Sequence, residues 1–192
     1  MADATASRSR LLRLLPPQVQ AELRERTRRL LSGARGRVYD LAGAEAHLQL
    51  YGEVDEVDEV VLSVGDGLDE GVAAGERFDT VVSVMHLARV SDPGRILARV
   101  RDVLRPGGEI LFLEPVRQPG WVGRGQRLAR PTIRAMTGWW LDHDLATAIR
   151  NTGLTITDIE RIVMPRYVWP VRAFVQGAAS EVRAPVVDGP GR

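Results

Sequence analysis

Short runs of β-branched and aromatic residues alternate along this chain with stretches of helical period. Arg37-Val38-Tyr39-Asp40-Leu41 reads as a buried strand with an acid near its end, and Val60–Val64, Phe78–Met85 and Glu109–Glu114 read as further strands. Gln18–Ser32 and Ala44–Tyr51 carry helix formers. Asp92-Pro93 is a helix start, followed by one apolar stripe of Ile96, Leu97, Val100, Val103 and Leu104 that stops at Pro106-Gly107-Gly108. Residues 119–136 predict a basic, partly amphipathic helix that Pro131 kinks or splits. Asp144 is placed to cap a helix over Leu145–Asn151. Leu154–Met164 and Val171–Gln176 predict a hairpin around Pro165–Pro170. The acid-rich run Gly52–Val60, with its small internal duplication, reads as a solvated linker.

This order predicts a Rossmann-like, doubly wound α/β fold. Its mostly parallel sheet has strands at 37–41, 60–64, 78–84 and 109–114, with 154–164 and 171–176 as C-terminal antiparallel strands. The expected organisation is a flexible N-terminal segment (1–17), one domain (18–177) and a tail (178–192). Ligands of such sheets bind at the carboxyl ends of the strands near the switch point. Candidate site residues therefore lie just after Leu41, Val64 and Met85.

Composition narrows the chemistry. The chain has no cysteine, which excludes disulfides, thiolate metal sites and a cysteine nucleophile. All 26 basic residues are arginine, so no lysine base or Schiff base exists. Residues 1–38 carry a charge of +6, residues 39–80 carry −11 and residues 81–192 carry +6. The acidic middle argues against a nucleic-acid groove there. No apolar run has the length of a membrane span, and Leu11–Leu15 is too short and too charged for a signal peptide. A cytoplasmic protein is the expectation. No histidine has metal-ligand spacing, so no metal is expected.

Three segments in order carry a family resemblance: Arg77-Phe78-Asp79-Thr80-Val81-Val82-Ser83, then Val90-Ser91-Asp92-Pro93, then Val103-Leu104-Arg105-Pro106-Gly107-Gly108-Glu109-Ile110-Leu111-Phe112-Leu113-Glu114-Pro115. Together they resemble the fourth strand, following helix and fifth strand of class I S-adenosylmethionine-dependent methyltransferases. From Glu114 through Trp121, Trp139-Trp140 and Pro170–Gly177, the chain is similar to a small branch related to phospholipid N-methyltransferases and thiol methyltransferases. The resemblance implies S-adenosylmethionine as cofactor and methyl transfer to a small-molecule or lipid-like acceptor. A non-catalytic pseudo-methyltransferase, acting as an interaction or regulatory subunit, is the alternative. Peripheral membrane contact and oligomerisation both stay open.

The resemblance also implies site residues. Asp40 matches the acid of the first motif; an ordinary helix-capping acid is the competing reading. The three motif glycines fall at Ala42, Ala44 and Ala46, with Gly43 between them. An alanine forced into the left-handed region costs about 1–2 kcal/mol, so an eroded, weakly binding or non-binding cradle is expected. Only 31 residues separate Ala46 from Phe78, where two further units need about 45–50. The domain is thus shortened relative to the family. If Val60–Val64 is the third strand, the second strand and its ribose-binding acid are gone, and Asp66 matches the adenine contact. The cofactor-binding candidates are Asp40, Ala42, Gly43, Ala44, Gly65, Asp66 and Ser83. Glu59 and Asp58 read as solvated charge rather than a surrogate ribose acid. His86 and His143 are candidate general bases. Trp121, Trp139, Trp140 and Trp169 either line an apolar pocket or membrane-facing patch, or sit singly in the core. The Arg-rich 117–134 stretch reads as a solvated helix face, with anionic head groups as the alternative partner.

Overall fold

In the computed structural model, residues 17–43, 45–63, 72, 75–118, 120–164 and 172–181 are described. Helix α1 (Pro17–Leu31) leads into β1 (Gly36–Asp40), α2 (Glu45–Tyr51) and β2 (Val57–Leu62). There follow β3 (Phe78–Val84), α3 (Pro93–Val103), β4 (Leu104–Val116), α4 (Gly120–Leu128) and α5 (Arg130–Thr137). The chain continues through α6 (Leu145–Asn151), β5 (Leu154–Val163) and β6 (Ala173–Glu181).

The strands form one sheet in the order β2-β1-β3-β4-β6-β5. The first four are mutually parallel, and β6 and β5 close the sheet antiparallel. Period-two alternation sorts the strand side chains to two cores. Val38, Val82, Val84, Leu111 and Leu113 pack with Val19, Leu23, Leu30 and Leu31 of α1. Tyr39, Val81, Ile110 and Phe112 face the other way, onto Ile96, Leu97 and Val100 of α3 and Leu145 and Ile149 of α6. Both faces are covered, as a parallel sheet requires. The predicted caps form: Asp92 accepts from the Arg95 N–H and Asp144 from the Thr147 N–H, each at 3.1 Å. The basic stretch is two helices, with Pro131 in the first turn of α5.

Three boundaries differ from expectation. The last residues of the supposed acidic linker are strand, because β2 begins at Val57. An edge strand can carry Asp58 and Glu59 exposed, and Glu59 Oε2 also lies 2.6 Å from Arg37 Nε. β4 begins at Leu104, before the glycine pair: Gly107 turns at φ +84, and Gly108 sits where a Cβ would lie 2.9 Å from the Asp79 carbonyl oxygen. β6 runs to Glu181, past the expected end at 176, because its ladder with β4 and β5 continues through Ser180 and Glu181.

The missing unit also takes a different place. In doubly wound sheets ordered 3-2-1-4-5-6, the strand beside the first is the second. Here β2 pairs directly with β1, register Val38↔Val60 and Asp40↔Leu62. The slot beside β1 is therefore filled, and among the described residues no strand lies outside β2.

Candidate functional site

The carboxyl ends of β1, β2 and β3 converge at the switch point, and β1 delivers Asp40 there wholly buried. Its Oδ1 accepts the Ala42 N–H at 2.8 Å. Its Oδ2 lies 2.7 Å from His47 Nδ1 and accepts the Tyr51 hydroxyl at 3.1 Å. His47 and Tyr51 stand four residues apart on α2, one above the other on a single face. Burial, and then the neighbouring Asp40 carboxylate, push the Tyr51 hydroxyl well above the usual phenol range. Tyr51 is therefore a proton donor to Asp40 at any working pH.

Beyond Asp40 the backbone turns sharply. Gly43 has φ +56 and donates its N–H to the Asp40 carbonyl at 3.1 Å. The Ser63 N–H, just past β2, donates to the same carbonyl at 2.9 Å. A Cβ on Gly43 would lie 2.5 Å from the Ser63 carbonyl oxygen. Only glycine fits, for conformation and for space. At two of the three alanines the expected strain is absent, and Ala44 lies outside the described residues. Ala42 has no positive φ, and Ala46 lies inside α2. A left-handed position falls on Gly43, between the motif positions 42 and 44.

The exit of β3 is held by a buried carboxylate. Glu114 accepts the Ser83 hydroxyl at 2.6 Å and the N–H groups of His86, Leu87 and Ala88 at 3.0, 3.1 and 3.1 Å. Burial pushes the Glu114 carboxyl up to about 7, against the pull of these four donors. Met85, at the turn between, has φ 53, the one non-glycine residue at positive φ among those described. Such an outlier costs about 1–2 kcal/mol and persists only where its surroundings enforce it. Ser83 is thus turned to Glu114 within the fold, and His86 is buried beside it.

The other candidates fall elsewhere. Ala44, Gly65, Asp66 and Trp169 lie outside the described residues. His143 Nε2 is 3.0 Å from the Val90 carbonyl oxygen, near the start of α3. It lines a groove of about 310 Å³ with Arg117, Asp144 and Arg161, and Asp40 is not among the lining residues. Trp139 is in the core. Trp140 lies under the guanidinium of Arg134, 3.7 Å from the ring centroid. Trp121 is exposed. Among the described residues no histidine and carboxylate cluster suits a metal ion. The roles of His47, Tyr51 and Glu114 were not read from sequence. The i, i+4 spacing of His47 and Tyr51 after a strand-end acid was the available signal for the first two.

Comparison with known proteins agrees with this architecture. A profile of the family described as "Methyltransferase domain" matches residues 25–112. The human thiol S-methyltransferase TMT1B is 31% identical over 119 residues, which is 60% of this chain and 49% of that protein. The chain thus spans about half the length of that curated relative. Among solved structures, the N-methyltransferase NodS from Bradyrhizobium japonicum, in complex with S-adenosyl-L-homocysteine, is similar with a TM-score of 0.57. Its identity is 14%, over 83% of this chain and 87% of that one. CalO1, a methyltransferase in calicheamicin biosynthesis, gives a TM-score of 0.56 at 17% identity, over 85% and 55%. At these identities both report the fold.

Proposed function

We propose that this chain, which matches a methyltransferase-domain profile over residues 25–112 and has the fold of solved methyltransferases, holds S-adenosylmethionine at the carboxyl edge of β1–β3. There it transfers the methyl group to a small thiol or a lipid-like acceptor. The observation that supports this reading is the turn after β1. Among the described residues of the turn Gly43 is the left-handed one, and Ala42 and Ala46 take conformations open to alanine. The turn is therefore compatible with a cofactor-binding loop in spite of its altered glycines. Asp40, Ala42 and Gly43 would form its wall at β1, with Ala44 as a further contact the resemblance implies; the adenine role of Asp66 rested on Val60–Val64 being the third strand and lapses with β2 beside β1.

The cofactor would supply the activated methyl group. The protein's part is then to hold the acceptor in line and exclude water, which is catalysis by proximity and orientation. His86 is the better of the two candidate bases. It leaves the same sheet edge as Asp40, one turn past β3, whereas His143 Nε2 is engaged with the Val90 carbonyl.

One observation favours the non-catalytic alternative. Asp40 has both oxygens committed to internal donors, and no strand flanks β2 among the described residues. Calorimetric titration of the wild type with S-adenosylmethionine separates the two. Micromolar binding supports the enzyme reading. No binding at millimolar cofactor overturns it and leaves the interaction-subunit reading. The Ala42→Gly, Ala44→Gly, Ala46→Gly variant should bind no better than wild type, since the described turn stores no strain at residues 42 and 46.

A further inference from the structure

Helix α4 is inverted. A surface helix of a globular domain turns its apolar residues inward. In α4 the two buried residues are Gly123 and Gln126, while Trp121 and Leu128 are 84% and 87% exposed. This rotation is pinned, not accidental. Gln126 Oε1 accepts the Gln118 N–H at 2.9 Å. A Cβ on Gly123 would run into the Gln118 carbonyl oxygen, so only glycine can sit against that strap. With 123 and 126 held inward, positions 121 and 128, two turns apart, must face solvent on one side.

The charge around this face has one sign. Between Pro115 and Leu141 the chain carries Arg117, Arg124, Arg127, Arg130 and Arg134 and no acid. Arg130 is used by Asp142 at 3.0 Å, and Arg134 by the Trp140 ring. Arg124 and Arg127, exposed between Trp121 and Leu128, make no ion pair among the described residues.

We propose that this face of α4 docks on an anionic lipid surface. An exposed tryptophan and leucine flanked by arginines match an interface whose outer layer is negative and whose interior is apolar. Charge decides against the main competitor: a twofold contact between copies would set Arg124 and Arg127 against arginines. α4 leaves the carboxyl end of β4, so the lipid surface would meet the sheet edge that carries Asp40 and His86. This docking does not depend on the proposed methyl transfer, and failure of cofactor binding would leave it intact.

Co-sedimentation of the full chain with vesicles tests it, using phosphatidylcholine alone and phosphatidylcholine with phosphatidylserine, at low and high salt. Binding is expected only to the phosphatidylserine vesicles, and it should weaken with salt. Arg124→Gln with Arg127→Gln should weaken it about thirtyfold, at about 1 kcal/mol for each arginine near an anionic surface. Trp121→Ser with Leu128→Ser should weaken it about tenfold or more. Both pairs are solvent-exposed, and circular dichroism checks that the variants fold. Absence of binding by wild type, equal binding to the neutral vesicles, or unchanged binding by both variants would overturn the proposal. So would a wild-type dimer that the Trp121→Ser, Leu128→Ser variant dissolves, in a chain that ignores the vesicles.

Discussion

Gly43→Ala probes the turn on which the site is built. At φ +56, alanine pays a conformational cost of about 1–2 kcal/mol. Its methyl group would also stand 2.5 Å from the Ser63 carbonyl oxygen, a backbone atom that cannot rotate away. Relieving that contact means moving the turn or the exit of β2, at a further cost of about 1–3 kcal/mol. The total is about 2–5 kcal/mol, or roughly 4–20 °C in Tm for a chain of this size. Gly107→Ala is the control. Gly107 has φ +84 but nothing within 4 Å of its would-be Cβ, so it reports the conformational cost alone. Urea unfolding followed by circular dichroism should place Gly43→Ala below Gly107→Ala by about 1–3 kcal/mol. Equal losses in the two variants would mean that the turn is not pressed on β2, and the account of the site would fail. Ala42→Gly should bring no gain, and rather a loss of about 0.5–1 kcal/mol from chain entropy, because Ala42 is unstrained.

Two other groups give independent tests. Tyr51→Phe removes the hydroxyl that Asp40 accepts at 3.1 Å. Urea unfolding should show a loss of about 1.5–3 kcal/mol, as for hydrogen bonds to a charged group, and a loss near zero would remove Tyr51 from the network. Glu114 should give a pH signature: its folded value of about 7 lies above the ordinary 4.5, so folding favours the protonated form. The stability this group contributes is complete below pH 4.5 and lost as pH rises through about 7, a span of about 3 kcal/mol. Asp79 and Asp144 are held below the ordinary carboxylate range and titrate outside this window. Glu114→Gln should flatten the pH 5–7 slope of urea-derived stability, and an unchanged slope would contradict the assignment.

The fold was legible where local pattern and tertiary role agree. Phe78–Val84 and Glu109–Glu114 are near-continuous apolar runs because both faces are buried, and they pair as expected. Asp92 and Asp144 announce helices because a cap is a local interaction. The acidic residues before Val60 read as linker because like charges repel in a packed element, whereas an edge strand leaves them in water. Whether a strand is central or at the edge is set by the whole sheet, and a window of ten residues does not carry it. The same holds for the turn after β1. The motif places glycine at 42, 44 and 46, but the described turn needs one at 43, and that need depends on where Ser63 stands. The inward aim of Ser83 follows from Glu114, 31 residues away. Such pairings have no local signature.

The acidic run and the basic helix become intelligible together once the sheet order is known. Among the described residues no strand pairs with the outer side of β2, and such an edge is a template for aggregation unless charged. Asp58 and Glu59 put exposed charge on that edge. On its inner side, Arg37 balances the excess through Glu59 at 2.6 Å and Glu76 at 2.8 Å. The strand that feeds α4, β4, lies three places along the sheet from β2, roughly 14 Å at normal strand spacing. The sheet therefore carries negative charge at one edge and an acid-free positive helix leaving its centre. A negatively charged surface would attract α4 and repel β2, which fixes the approach as well as strengthening it. In that orientation Trp121 and Leu128 lead, and the acidic edge stays in water. The same charge separation that keeps the exposed strand soluble would thus turn the carboxyl end of β4, and the site beside it, toward the lipid.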